Sequence, residues 1–251
     1  TFNVSTTAAI IAAAAGAVVA KHGSHTNTRV SGSAEVLIAL GVNVEADVAT
    51  LERCLAEAGL AFLYAPRLHP AMRHAMPVRR ALRQRTIFNL LGPLCNPAGA
   101  RRQVLGVSQP AHVPLMAEAL RALGAERAWV VHGGDGLCDL TITASTTVAE
   151  LADGNITTRI IGPSDVDLPT ASLDALLVAS PAASADAVRA ILAGEPGPRR
   201  DHAVLNAAAA LVVAGVAGDL ADGVARARAV LDSGAARDKL AQLVAISHAQ
   251  T

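Results

Sequence analysis

QVLGVSQPAHVPLMAEALRALGAERAWVVHG, residues 103–133, sets an amphipathic segment between two apolar runs. QVLGVS (103–108) and RAWVVHG (127–133) have the character of strands, and VPLMAEALRALG (113–124) has the spacing of a helix. A strand, a crossover helix and a second strand imply parallel pairing, since antiparallel neighbours need only a short turn. The expected fold class is therefore α/β, with a central, mainly parallel sheet flanked by helices.

The flanking sequence extends this pattern in both directions. Upstream, 1–16 reads as a helix whose N-cap is Ser5 or Thr6, AVVA (17–20) as a short buried strand, and SAEVLIALG (33–41) as a helix with Val36, Leu37 and Leu40 on one face. DVATLERCLAEAG (47–59) reads as one helix, AFLYA (61–65) as a strand, and 69–84 as a helix opened by Pro70. Downstream, 147–160 reads as a hairpin turned at Asp153-Gly154-Asn155, and from Ser184 onward the pattern is almost all helix, with glycines closing successive segments. With no repeat and no low-complexity linker, the economical division is one domain over 1–251.

Composition narrows the function. Twenty-one basic and 21 acidic residues cancel, so no basic field exists to hold a nucleic acid or an anionic membrane. The apolar run AAIIAAAAGAVVA (8–20) is shorter than the roughly 20 residues a bilayer span needs. Cys54, Cys95 and Cys138 are odd in number and far apart, which reads as free thiols in a reducing, cytoplasmic compartment. Cys54 and Cys95 are expected to be small buried thiols, and Trp129 and Tyr64 to be core. With only 2% aromatics the core must come from Ala, Val, Leu and Ile, which favours closely packed helices.

Three stretches carry chemistry. VVAKHGSHTNTRVSGSAE (18–35) runs from strand to loop to helix, with a mobile cation at Lys21, a bend at Gly23 and hydroxyl or amide groups from Ser24 to Ser33. Such a loop, with the helix start near Ser5 and Thr6, makes an anion site; a pair of solvent-exposed caps is the competing reading. RTIFNLLGPLCNPAG (85–99) reads as a buried turn walling a pocket, or as a core loop without a ligand. HGGDGLCDLTIT (132–143) ends a strand in glycines and supplies Asp135 and Asp139, carboxylates that suggest Mg²⁺ at the carboxyl end of a parallel sheet.

NVST (3–6), KHG with SGSAEVLIALGVN (21–43), HPAM with VRR (69–80), RTIFNLLGPLCNPAG (85–99), VVHGGDGL (130–137) and GPRRDHAVLNAAAAL (197–211) together resemble the anthranilate phosphoribosyltransferase family, in order and spacing, over nearly the whole chain. That resemblance implies a catalytic α/β domain of the nucleoside phosphorylase/phosphoribosyltransferase type, joining anthranilate to 5-phosphoribosyl 1-pyrophosphate with release of pyrophosphate, in tryptophan synthesis. It also implies that the sequence is incomplete at its N-terminus, starting after the family's GTGGD loop and lacking a helical domain that carries a homodimer contact. By the same resemblance Thr1, Asn3, Ser5 and Thr6 contact pyrophosphate, Ser5 also serves Mg²⁺, and Lys21, His22, Gly23, Thr28, Arg29 and Ser33 hold the phosphorylated ribose. Arg79 pairs with the anthranilate carboxylate, Ser24 faces anthranilate, His22, His69 and Gly92-Pro93 line the path of its ring, and Asp139 holds Mg²⁺.

Departures fall on ligand loops. Ser24 stands where the family has Asn after Lys-His-Gly, and His25, Thr28, Arg29 and Val30 redistribute hydroxyl and charge in the following loop. The family's DGLDE becomes Asp135-Gly136-Leu137-Cys138-Asp139. Cys138 at a metal-ligand position is a poor partner for a hard ion. Asp for Glu withdraws a carboxylate by about 1.5 Å, and misplacement by about 1 Å can cost ~10²-fold in rate. Two readings stay open: a functional Mg²⁺-dependent transferase with compensating shifts, or a divergent relative that ribosylates another aromatic acid, splits pyrimidine nucleosides or binds ligand without turnover.

Overall fold

The computed structural model describes residues 1–25, 31–75, 77–78, 81 and 86–249. The β-α-β unit is present: β3 (Arg102–Gly106) and β4 (Arg127–Gly133) pair in parallel, joined by helix His112–Ala122. Along β4, Ala128 and Val130 join one apolar cluster with Val113, Met116 and Leu120 of that helix, whereas Trp129 and Val131 join the other, larger core. Burial on both faces explains why β4 reads as a continuous apolar run and not as an alternating one. The predicted hairpin adds β5 (Thr146–Ala152) and β6 (Asn155–Ile161) antiparallel, so this sheet is mixed, in the order β3-β4-β5-β6. A second, two-stranded sheet pairs β1 (Val19–Gly23) with β2 (Leu60–Tyr64) in parallel.

Helices cover these sheets. In chain order those used here are α1 (Val4–Ala14), α2 (Ser33–Ala39), α3 (Val48–Arg53), α4 (Ala65–Leu68), α5 (Phe88–Leu91), α6 (His112–Ala122), α7 (Pro181–Leu192), α8 (Pro198–Ala214), α9 (Leu220–Asp232) and α10 (Ala235–His248). The almost wholly buried α1 packs on α8, and α8 on α9. Alanine and glycine allow close approach: a Cβ on Gly223 of α9 would lie 2.8 Å from the Ala208 carbonyl oxygen and 2.9 Å from its Cα. Trp129 and Tyr64 are core, as the sequence suggests. Among the described residues no helix is long and apolar enough to cross a membrane.

Several boundaries differ from expectation for local reasons. The N-cap of α1 is Asn3, not Ser5 or Thr6: its Oδ1 accepts the Thr6 N–H at 3.1 Å. The first strand starts at Val19 and takes in Lys21 to Gly23; it is half-buried, and Val18 is 74% exposed. The 47–59 helix changes after Arg53 into a π-turn, Cys54–Ala58, closed by Gly59 at φ +66°. Pro70 opens a short 3₁₀ turn, Pro70–His74, and not a continuous helix. Residues 86–99 form a surface element, not a buried turn: neither α5 nor the 3₁₀ turn Gly92–Leu94 has a buried residue, and Cys95 is exposed while Cys54 is buried.

Gly223→Val should therefore lower unfolding free energy by roughly 1–3 kcal/mol in urea titration, because the new side chain meets α8 backbone that cannot rotate away. A valine variant as stable as the parent would contradict this close helix contact.

Candidate functional site

Three segments distant in sequence meet at the start of α1. Lys21 of β1 donates from Nζ to Ser5 Oγ at 3.1 Å. Asn3 reaches the start of α2, its Nδ2 lying 3.4 Å from Ser33 Oγ, while its Oδ1 caps α1. The Asn3 N–H donates to Ser184 Oγ of α7 at 2.9 Å, and the preceding Phe2 N–H to the Leu176 carbonyl at 3.0 Å. The segment 1–3 is thus fixed from three sides before α1 begins. Because α2 has only seven residues, its contribution here is the Ser33 hydroxyl more than a helix dipole.

Lys21 sits in an unusual field. Its stem borders a small void shared with Thr6, Ala9, Ile10, Phe62 and Leu243. The residue is half-buried by surface area, but protein surrounds the ammonium, and this burial lowers its pKa from the ordinary 10.5 to about 8. The Asp139 carboxylate opposes the shift, so it lies within electrostatic reach of Lys21. Thr6 is buried, and among the described residues its Oγ1 has no hydrogen-bond partner.

A second group flanks this cluster. His22 Nδ1 lies 3.3 Å from the Gly92 carbonyl, and His22 Nε2 lies 3.0 Å from His69 Nε2. If His22 donates from Nδ1, its Nε2 must accept, and His69 donates from Nε2. Burial first, then His69, hold His22 below the ordinary imidazole range, in keeping with an accepting Nε2. The surface element 86–99 is moored to β1 and β3 by polar contacts: Asn96 Nδ2 donates to the Ala20 carbonyl at 2.9 Å, and Gln103 Nε2 to the Pro93 carbonyl at 3.0 Å. His22, His69 and Gly92-Pro93 are therefore neighbours, as expected for the walls of one entrance. Ser24 is exposed, and its Oγ donates to the His25 carbonyl. Thr28, Arg29 and Arg79, expected to hold ribose and carboxylate, lie outside the described residues.

The two aspartates of 132–143 divide their work. Asp135 accepts from Leu137 N–H at 2.9 Å, from Thr141 Oγ1 at 2.5 Å and from Thr143 Oγ1. Burial alone would raise its pKa, but the two threonine hydroxyls and backbone donors outweigh it and hold the carboxyl below the ordinary range. With its oxygens so engaged, Asp135 braces the loop, whereas Asp139 is the carboxylate whose charge acts on Lys21. Among the described residues no three His, Cys, Asp or Glu side chains gather as a metal cage. The oxygen donors here, Ser5 and Asp139, fit a hard ion that keeps waters and shares substrate phosphates, as Mg²⁺ does; the Cys138 thiol does not.

A larger cleft, lined by Ala175, Ile191, Glu195, Arg199 and Arg200, lies between α7 and α8. Its cations are committed to structure: Arg199 donates to the Ala175 and Leu177 carbonyls, and Arg200 to the Gly194 carbonyl and Asp232. Residues that the sequence did not single out do support the first cluster: Ser184, Asn96 and Asn206. Of these, only Asn206, an amide inside an alanine-rich apolar helix, carried a visible signal.

Residues 1–237 match the glycosyl transferase family, a/b domain. The chain is 54% identical over 246 residues to anthranilate phosphoribosyltransferase of Rhodospirillum rubrum, covering 98% of this chain and 71% of that protein. Its structure is similar to that of anthranilate phosphoribosyltransferase from Thermus thermophilus, with TM-score 0.93, 45% identity and coverage of 99% of this chain and 74% of that one. The Saccharomyces cerevisiae enzyme in complex with PRPP and Mg gives TM-score 0.90 at 27% identity, covering 98% of this chain and 70% of that one.

A charge held at about 8 penalises the folded state fully below pH 8, and the penalty fades as pH rises toward 10.5, where the unfolded lysine also loses its proton. Lys21→Met should accordingly raise the thermal midpoint by a few °C at pH 7, with a smaller gain at pH 10. A lower midpoint at pH 7 would show that Lys21 stabilises the fold and is not a strained functional charge.

Proposed function

Because the chain belongs to the glycosyl transferase family, a/b domain, and within it to the anthranilate phosphoribosyltransferases, we propose that it transfers the phosphoribosyl group of 5-phosphoribosyl 1-pyrophosphate to the amine of anthranilate, releasing pyrophosphate. The observation that carries this reading is the Lys21–Ser5 contact at 3.1 Å, beside the Asn3–Ser33 contact that gathers the starts of α1 and α2. A cation, the Ser5 and Ser33 hydroxyls and the N-terminal end of α1 on one spot suit a polyanion. Identity of 54% across 98% of the chain favours the anthranilate enzyme over a nucleoside phosphorylase or a non-catalytic relative.

In this reading Thr1, Asn3, Ser5 and Thr6 surround the pyrophosphate, and Lys21, His22, Gly23, Thr28, Arg29 and Ser33 the phosphorylated ribose. Anthranilate enters past His22, His69 and Pro93, with Ser24 alongside and its carboxylate on Arg79. Ser5 and Asp139 would hold Mg²⁺, which supplies charge neutralisation for the departing pyrophosphate. The amine nitrogen forms a bond to the sugar's C1 as the C1–pyrophosphate oxygen bond breaks, and the proton lost from nitrogen passes to solvent or to the leaving group. No side-chain nucleophile is required. An aromatic amine is already neutral at pH 7, so Lys21 and the α1 N-terminus do the main work by stabilising negative charge as it develops. Burial holds His22 below the ordinary imidazole range, which keeps extra positive charge at that position away from the ring path. One catalytic domain over 1–251, a cytoplasmic setting and, where the family's N-terminal helical domain is present, a homodimer complete the proposal.

Pyrophosphate release by the full-length protein should require anthranilate, phosphoribosyl pyrophosphate and Mg²⁺ together, and Lys21→Met should lower kcat/KM by roughly 10²–10³-fold. Release at the wild-type rate from the methionine variant, or in the presence of a chelator, would contradict the assignment.

A further inference from the structure

The backbone on either side of Asp139 is gripped by residues far away in sequence. At the end of β3, a Cβ on Gly106 would lie 1.5 Å from the Cys138 carbonyl oxygen and 2.6 Å from its carbonyl carbon. The Cys138 peptide therefore rests directly on the bare Cα of Gly106, and no other residue leaves room for it. On the other side, Asn206 of α8 takes both backbone groups of Leu140: Leu140 N–H donates to Oδ1 at 3.1 Å, and Nδ2 donates to the Leu140 carbonyl at 2.8 Å. Leu140 is fully buried and Asn206 nearly so, which makes this an amide clamp in a low-dielectric interior where lost partners are costly.

The rest of the loop is organised to present that short span. A Cβ on Gly133, at the end of the neighbouring parallel strand β4, would lie 2.5 Å from Asp135 Oδ1, so a second glycine seats the brace formed by Asp135 with Leu137, Thr141 and Thr143. Thr141 N–H is taken by Thr146 Oγ1 at 3.0 Å as β5 begins. Residue 139 is thus the one acidic position between two fixed peptides, within the field of Lys21.

We propose that Gly106 and Asn206 are positioning residues for the metal-binding carboxylate, setting where Asp139 stands through the peptides on both its sides. The proposal rests on the reading of Asp139 as the Mg²⁺ carboxylate. It assigns the Cys138 contribution to its carbonyl, seated on Gly106, and not to its thiol. A thiol in place of a carboxylate at 138 is then compatible with a working site, because the backbone and not that side chain fixes the neighbouring ligand.

The test is calorimetric titration of phosphoribosyl pyrophosphate into the full-length protein with and without Mg²⁺; the ratio of the two affinities is the Mg²⁺ enhancement. Asp139→Asn should abolish the enhancement; if it does not, the metal reading itself fails, and the proposal with it. Given that loss, Gly106→Ala should cut the enhancement at least about tenfold, as expected for a carboxylate displaced by about 1 Å, while metal-free affinity stays within about twofold. Asn206→Ala, which removes the second grip without a steric clash, should act in the same direction, so the test stands even if Gly106→Ala does not fold. Cys138→Ala should keep the enhancement within about twofold. A folded Gly106→Ala or Asn206→Ala with wild-type enhancement would overturn the proposal, and so would Cys138→Ala losing as much as Gly106→Ala.

Discussion

The bond from Lys21 Nζ to Ser5 Oγ ties the edge strand of the small parallel sheet to the first turn of α1. It costs the fold something, because the ammonium is brought among protein atoms and its pKa falls to about 8. Burial of an ammonium without full compensation is characteristic of functional positions, where strain persists because the surrounding structure over-determines it. Here the surroundings are Asn3, held by Ser184 and Ser33, and the buried helix α1 behind it. Remove that frame and the lysine is free to swing to water.

The frame depends on close packing of small side chains. A core poor in aromatics brings α1, α8 and α9 together through alanine and glycine, as at Gly223 and Ala208. One consequence is functional: α8, a packing helix, also supplies Asn206 to the loop that bears Asp139. Stability and site geometry therefore share a helix, and the carboxyl ends of β3 and β4 carry glycines where the loop must lie against them.

Much of this was legible in the sequence. The β-α-β unit, the hairpin and the apolar helices follow from period and turn chemistry, which act locally. The Lys21, Ser5 and Ser33 grouping follows from strand-to-helix loops and from family resemblance. What was hidden depends on tertiary contact. Asn3 outranked Ser5 and Thr6 as a cap because its amide could also reach Ser33. Asp135 has the spacing of a metal ligand, but Thr141 and Thr143, brought back against it by the loop, take up its oxygens. The 86–99 element is apolar in composition yet lies at the surface, moored through Asn96 and Gln103, since hydropathy does not report the polar bonds that hold a wall in place.

The most direct measurement of the central claim is proton uptake when phosphoribosyl pyrophosphate binds, from calorimetry at pH 8.5 in buffers of different ionisation enthalpy. Phosphate groups, with second ionisations near pH 6, are already charged there, so uptake reports the protein. A Lys21 at about 8 should take up a substantial fraction of a proton as the polyanion draws its pKa upward, and Lys21→Met should show none. Binding without proton uptake in the wild type, or with equal uptake in the methionine variant, would contradict a desolvated lysine waiting for a phosphate.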